Sequence, residues 1–144
     1  MTVKFTNPAP AECCAWLAGV KNIAVVGLSP KADRPSHAVA RALQAFGFRI
    51  IPVRPGVAEV LGEKAYGRLA DVPVPIDLVD VFRAAAYLDA LVDECIALDL
   101  PALWIQEGIV NAPAARRARA AGITVVMDRC LYKDYLAYCR PKIA

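Results

Sequence analysis

The sequence predicts a doubly wound α/β domain with a five-stranded parallel sheet and helices on both faces. Three observations predict it. Apolar runs begin at residues 22, 48, 76, 102 and 123, and stretches of helical periodicity separate most of them. The runs are near-continuous rather than alternating, as strands covered on both faces require. Gly47 and Gly122 each close a helical stretch just before the next strand, in the position where a helix terminates in a left-handed residue.

Residues 8–19 read as a first helix, with Pro8 or Pro10 in its opening turn and Trp16 and Leu17 turned inward. The first strand is 22–27, and Gly27 stands where the backbone must turn. The following loop carries Ser29, Lys31, Arg34 and Ser36 ahead of a helix over about 36–46. A second strand spans 48–53. Residues 55–75, rich in proline and glycine, are irregular, with helical turns expected around 57–61 and 68–72. The third strand, 76–82, leads to a helix over about 85–98 with Leu88, Leu91, Val92 and Cys95 on one face. The fourth strand is 102–105. Asn111 and Pro113 open a helix over about 112–121, the fifth strand is 123–127, and a final helix covers 130–139. The whole chain, 1–144, reads as one domain. Right-handed crossovers at this spacing give a Rossmann-like sheet, with an expected strand order of 3-2-1-4-5 and a switch point between the first and fourth strands.

Composition excludes several classes. A net charge of +3, spread along the chain, lacks the clustered basic face of a nucleic-acid-binding protein. No apolar run is long enough for a membrane span, and Met1 to Phe5 carry no leader-like apolar segment. The five cysteines are odd in number and contain no Cys-x-x-Cys pair, so the expectation is reduced thiols in a cytoplasmic protein.

Sheets of this kind bind ligands beyond the C-terminal ends of their strands. Gly27, Ser29, Lys31, Arg34 and Ser36 follow the first strand at a helix N-terminus, where free N–H groups, the helix dipole and two cations favour an anion. Ser36 or Asp33 also has the chemistry to cap that helix. The Gly-x-Gly-x-x-Gly fingerprint of dinucleotide sites is absent, and Arg54 stands after the second strand where a ribose-binding acid would be. A cation there suits a phosphorylated ribose, as in NADP or CoA, and disfavours NAD. Phe82, Arg83 and a run of small residues follow the third strand; Gln106, Glu107 and Gly108 follow the fourth; Asp128, Arg129 and Cys130 follow the fifth.

With these strand ends assembled, the sequence resembles a stand-alone CoA-binding domain, similar to that of the succinyl-CoA synthetase α-subunit and of ADP-forming acyl-CoA synthetases. The resemblance rests on Val26-Gly27-Leu28-Ser29-Pro30 with Arg34-Pro35-Ser36, on Gly47 to Pro55, Leu61 to Tyr66 and Val79 to Arg83, and on Leu103 to Gly108 and Gly122 to Cys130. It implies that Gly27, Ser29, Pro30, Lys31, Arg34 and Ser36 hold the CoA phosphates. It further implies that Val53, Arg54 and Pro55 line the adenosine side, that Phe82 and Arg83 border the adenine and pyrophosphate, and that Gln106, Gly108 and Ile109 follow the pantetheine arm. Arg54 departs from the asparagine usual at its position in the family.

Catalysis is not expected of this chain alone. The synthetases it resembles use a phosphorylated histidine in a second domain, whereas His37 here reads as a half-exposed helix residue. Asp77 and Asp80 bracket a buried strand and read as satisfying backbone or a neighbouring helix. Glu107 is the one carboxylate expected at the ligand edge. Cys130 reads as a small buried residue or, if CoA enters the crevice, as a thiol near that of CoA, able to form a mixed disulfide with it. The first expectation is therefore a domain that binds CoA or an acyl-CoA. An NADP-binding domain, a non-catalytic subunit of a synthetase-type complex and a domain that has lost its ligand are the alternatives. Alanine-rich helices and Tyr132, Tyr135 and Tyr138 leave a homodimer or another protein partner open.

Overall fold

The computed structural model describes residues 4–139; the ends of the domain expected over 1–144 lie outside the described residues. In chain order the elements are α1 (Pro10–Leu17), β1 (Asn22–Val26), α2 (Pro35–Ala45), β2 (Arg49–Val53), β3 (Glu59–Val60), β4 (Glu63–Lys64), β5 (Leu78–Val81), α3 (Leu88–Ala97), β6 (Ala102–Ile105), α4 (Ala112–Ala120), β7 (Thr124–Met127) and α5 (Leu131–Asp134). A π turn, Tyr135–Cys139, continues α5.

The five long strands form one parallel sheet in the order β2-β1-β5-β6-β7. Side chains alternate across it. Ile23, Val25, Leu78 and Trp104 face a core shared with α1, α2 and α5, while Ala24, Val26, Val79, Leu103 and Ile105 face α3 and α4. The Rossmann-like, doubly wound class is as expected, but the order is not. Counting only the long strands, it is 2-1-3-4-5 rather than 3-2-1-4-5. The reason lies in the segment between β2 and β5. It buries Leu69 and Ile76 in the core on the α3 side, the face opposite α2, and packs the partly buried Val72 against it. A right-handed crossover on that face runs in the reverse direction, past β1, and sets β5 on the free side of β1. The switch point therefore lies between β1 and β5.

That same segment holds a small antiparallel hairpin of β3 and β4 where a helical turn was expected around 57–61. Leu61 and Gly62 occupy its tip with positive φ, at 55° and 77°. The expected turn around 68–72 is present as a short 3₁₀ helix, Leu69–Asp71. Tyr66 bonds both ways to the edge strand, its N–H to Pro52 O and its carbonyl to the N–H of Arg54 (2.9 and 2.8 Å), and so covers the β2 edge. At the opposite edge, the Asn7 amide both donates to Met127 O and accepts from Met127 N–H (2.9 and 2.8 Å).

Three helices stop by one device. In α2, Phe48 N–H reaches Leu43 O and Gly47 N–H reaches Gln44 O. Gly122 and Ile123 repeat this after α4, and Asp99 and Leu100 after α3, with Asp99 at φ 53° in the place of glycine. Asn111 caps α4 as expected, its side chain accepting from Ala114 N–H at 3.1 Å.

The expectation of reduced thiols throughout is corrected here. Cys14 and Cys139 form a disulfide, so the cysteines are not all reduced. The pairing joins residues 125 apart in sequence, brought together because α1 and the segment of residues 131–139 pack on the same sheet face. Cys13, Cys95 and Cys130 are free and buried, and burial pushes the Cys95 thiol up to about 12.

Asp77 behaves as expected, its carboxylate accepting from the N–H groups of Lys21 and Asn22 (3.0 and 2.9 Å). Asp80 does not. It lies mid-strand between Val25 and Trp104, fully buried, with no hydrogen bond to either carboxyl oxygen. Burial holds its pKa well above the ordinary carboxylate range, so the folded protein keeps it neutral. The unfolded chain releases this proton at lower pH, and stability falls as pH rises above the unfolded value toward the folded one. Thermal melts of Asp80→Asn against the parent should diverge progressively from pH 4 to pH 8, with the variant gaining; a pH-independent gap would show that Asp80 does not titrate this way.

Candidate functional site

The loop after β1 is shaped by contacts a larger residue could not make. Gly27 has φ +84°, its N–H donates to Val53 O at 2.9 Å, and a Cβ there would stand 2.7 Å from Phe82 O and 3.0 Å from Arg83 Cδ. The end of β1 thus presses against the end of β5. Ser29 and Ser36 are buried and brace the loop: Ser29 N–H donates to Ser36 Oγ at 3.0 Å, and Lys31 N–H donates to Ser29 Oγ at 3.1 Å. Neither Ser36 nor Asp33 caps α2. Arg34 holds the N-cap position, its side chain makes no capping bond, and Pro35 begins the helix. Lys31 and Arg34 are exposed.

Two cavities line the C-terminal edge of the sheet. The first, about 470 Å³, is bounded by Gly27, Ser29, Pro30, Lys31, Arg34, Pro35, Ser36, Arg54, Val57 and Phe82. Arg54 reaches across from β2, its guanidinium donating to Gly27 O at 3.4 Å, so three cations surround this cavity. The second, about 510 Å³, is bounded by Pro35, Ala38, Val39, Phe82, Arg83, Ala84, Gln106, Glu107, Ile109, Cys130 and Lys133. Pro35 and Phe82 belong to both, so the two abut as one trough, cationic at one end and largely apolar along the other.

Gln106 is 3% exposed, and its Oε1 accepts the N–H of Leu131 at 3.2 Å, tying the end of β6 to α5. Glu107 is at the trough as expected, paired with Lys133 at 3.0 Å. That hydrogen bond and the negative charge beside it hold the Lys133 pKa above its ordinary value. Cys130 is 7% exposed and lines the apolar arm.

The structure brings together eleven of the sequence-predicted residues along the two arms: Gly27, Ser29, Pro30, Lys31, Arg34 and Ser36, with Arg54, Phe82, Arg83, Gln106 and Ile109. Val53 and Pro55 line neither arm. They border a third cavity of about 180 Å³ beside Arg83 and Tyr87, whose ring lies 4.3 Å from the Arg83 guanidinium. Gly108 lines none of these cavities; its N–H donates to Asp128 Oδ1 at 2.8 Å and so helps set the loop after β6. Sequence reasoning missed Ala38, Val39, Val57 and Lys133. Val39 stands one helical turn beyond Pro35 on the side facing the trough, and Lys133 lies on the turn that follows Cys130.

A doubly wound sheet with a braced, cation-bearing loop at its switch point is the arrangement of nucleotide-binding α/β domains. Comparison with known proteins narrows the class. A family model described as a CoA binding domain matches residues 21–135, and the chain belongs to that family. The protein YneT of Bacillus subtilis is 44% identical over 125 residues, 87% of this chain and 93% of that one. A Thermus thermophilus protein of known structure is 37% identical with a TM-score of 0.85, over 90% of this chain and 98% of that chain. The ADP-forming acetate–CoA ligase I of Archaeoglobus fulgidus is 26% identical over 121 residues, which are 77% of this chain but only 18% of the ligase. The expected kinship with CoA-ligase domains therefore holds.

Because the Gly27 contact is with backbone, it cannot be relieved by side-chain movement. Gly27→Ala should cost more than about 1 kcal/mol of stability in denaturant unfolding. Gly56→Ala, where the φ is equally positive but no atom lies within 4 Å of the added methyl, should cost less.

Proposed function

We propose that this chain binds CoA or an acyl-CoA in the trough, without catalysis of its own. The observation that carries the reading is the trough's two-part character. CoA joins a strongly anionic nucleotide end to a long uncharged pantetheine arm, and a cavity ringed by Lys31, Arg34 and Arg54 opens into an apolar arm of comparable size. The phosphates belong with those three cations and the N-terminus of α2. Gly27 and Pro30 shape the loop beside them, and Ser29 and Ser36 serve chiefly to brace it. The adenosine end lies toward Val53, Pro55 and Arg83. The pantetheine arm runs over Phe82, past Gln106 and Ile109, with the Gly108 turn behind it, and the thiol end lies toward Cys130.

A binding role without turnover is supported by how the acids are used. Asp80 lies within the sheet away from the trough, and Glu107 is committed to Lys133. The match to a small share of the acetate–CoA ligase supports a domain that contributes ligand binding within that larger protein. A cytoplasmic setting, where acyl-CoA chemistry takes place, fits this reading, and a small-molecule ligand is its principal partner.

Calorimetric titration with CoA, dephospho-CoA, NADP and NAD tests the proposal. CoA should bind, and dephospho-CoA more weakly. Arg34→Ala and Arg54→Ala should each weaken CoA about tenfold or more, as removal of a charge-assisted contact does. Binding of NADP without CoA would replace this reading with an NADP site using Arg54 for the 2′-phosphate, and binding of none of the four would remove it.

A further inference from the structure

The segment of residues 129–139 has two working sides. Cys130 and Lys133 face the ligand trough. Arg129, Asp134, Tyr138 and Cys139 face α1, where with Cys13 and Cys14 they line a separate cavity of about 230 Å³. One short segment thus forms a wall of both.

That segment has little helical stability of its own. The four residues of α5 and the five of the π turn are far below the length at which a helix persists unaided. Its first half is held by packing: Leu131 is fully buried with its N–H on Gln106, Tyr132 stacks on Phe46, and Tyr135 packs against Phe46 and Phe48. Arg129 and Asp134 form a two-bond ion pair at its base. Beyond Tyr135, Leu136 and Tyr138 are exposed, and the covalent tie to α1 is the Cys14–Cys139 disulfide. In a reducing cytoplasm, disulfides are more often transient and sensing than structural.

We propose that the Cys14–Cys139 disulfide is a redox-sensitive latch: closed, it holds the terminal segment as a firm wall of the trough; opened by a dithiol reductant, it lets that wall loosen. One thiolate of the reductant attacks Cys139 Sγ, next to the exposed Tyr138. The bond to Cys14 breaks, and Cys14 leaves as a thiolate that takes up a proton. The second thiol of the reductant then attacks the mixed disulfide, releasing Cys139 as a thiol and the reductant as its own disulfide. Two electrons pass from reductant to protein. The latch stands on the geometry of the segment, whereas its effect on ligand binding rests on the CoA reading above.

The test uses the full chain carrying Cys13→Ala, so that Cys13 cannot exchange into the disulfide. Hydrogen exchange over 130–139 and alkylation of Cys130, located by peptide mapping, are compared before and after dithiothreitol. Reduction should speed exchange over 135–139 about tenfold or more and raise the Cys130 alkylation rate. The Cys14→Ser variant should show both without reductant; should it fail to fold, the reductant titration of the parent decides alone. CoA affinity should fall about fivefold on reduction. Unchanged exchange, or faster exchange with unchanged Cys130 alkylation, would overturn the latch. A latch that opens as described in a protein that binds CoA in neither state would overturn the CoA reading alone.

Discussion

The handedness of chain crossovers is the constraint on which the rest of this structure depends. With α2 on one face and residues 69–76, ahead of β5, on the other, the right-handed rule turns the chain back and sets β5 beside β1. The open crevice of the sheet then falls between the loop after β1 and the loop after β5. Every feature of the candidate site is a consequence of that adjacency. Gly27 must be glycine because the Phe82 carbonyl is its neighbour, and Phe82 can belong to both arms of the trough because β5 lies between β1 and β6.

The trough also shows how polar groups are divided between building a site and serving it. Ser29 and Ser36 have the residue type of phosphate ligands, yet their hydroxyl oxygens accept N–H bonds from the loop itself. The cations remain at the surface of the same cavity. A loop whose own backbone bonds are satisfied internally presents its charges without having to reorganise, which favours binding of an anion. Gln106 has a similar double use, since the side chain that borders the apolar arm also fixes the start of α5.

Asp80 runs against the economy of the rest of the core. A carboxyl without hydrogen bonds in a central strand is costly to bury, and it is tolerated by remaining protonated. Its register neighbours Val25 and Trp104 offer it no hydrogen bond, the indole N–H of Trp104 being donated to Arg129 O.

The sequence by itself determined the class of fold and most of the site. Continuous apolar runs specify strands covered on both faces, Gly47 and Gly122 specify helix ends, and cations behind Gly27 and Val53 specify an anion-seeking edge. These are local signals, legible within a few residues. Tertiary structure alone decided the strand order, because handedness acts on the face along which residues 54–77 cross, and their broken pattern does not reveal that face. It alone decided the Cys14–Cys139 pairing, the orphaned state of Asp80 and the inclusion of Val39 and Lys133 in the trough. Each of those depends on which distant segments meet, and spacing along a chain carries no measure of that.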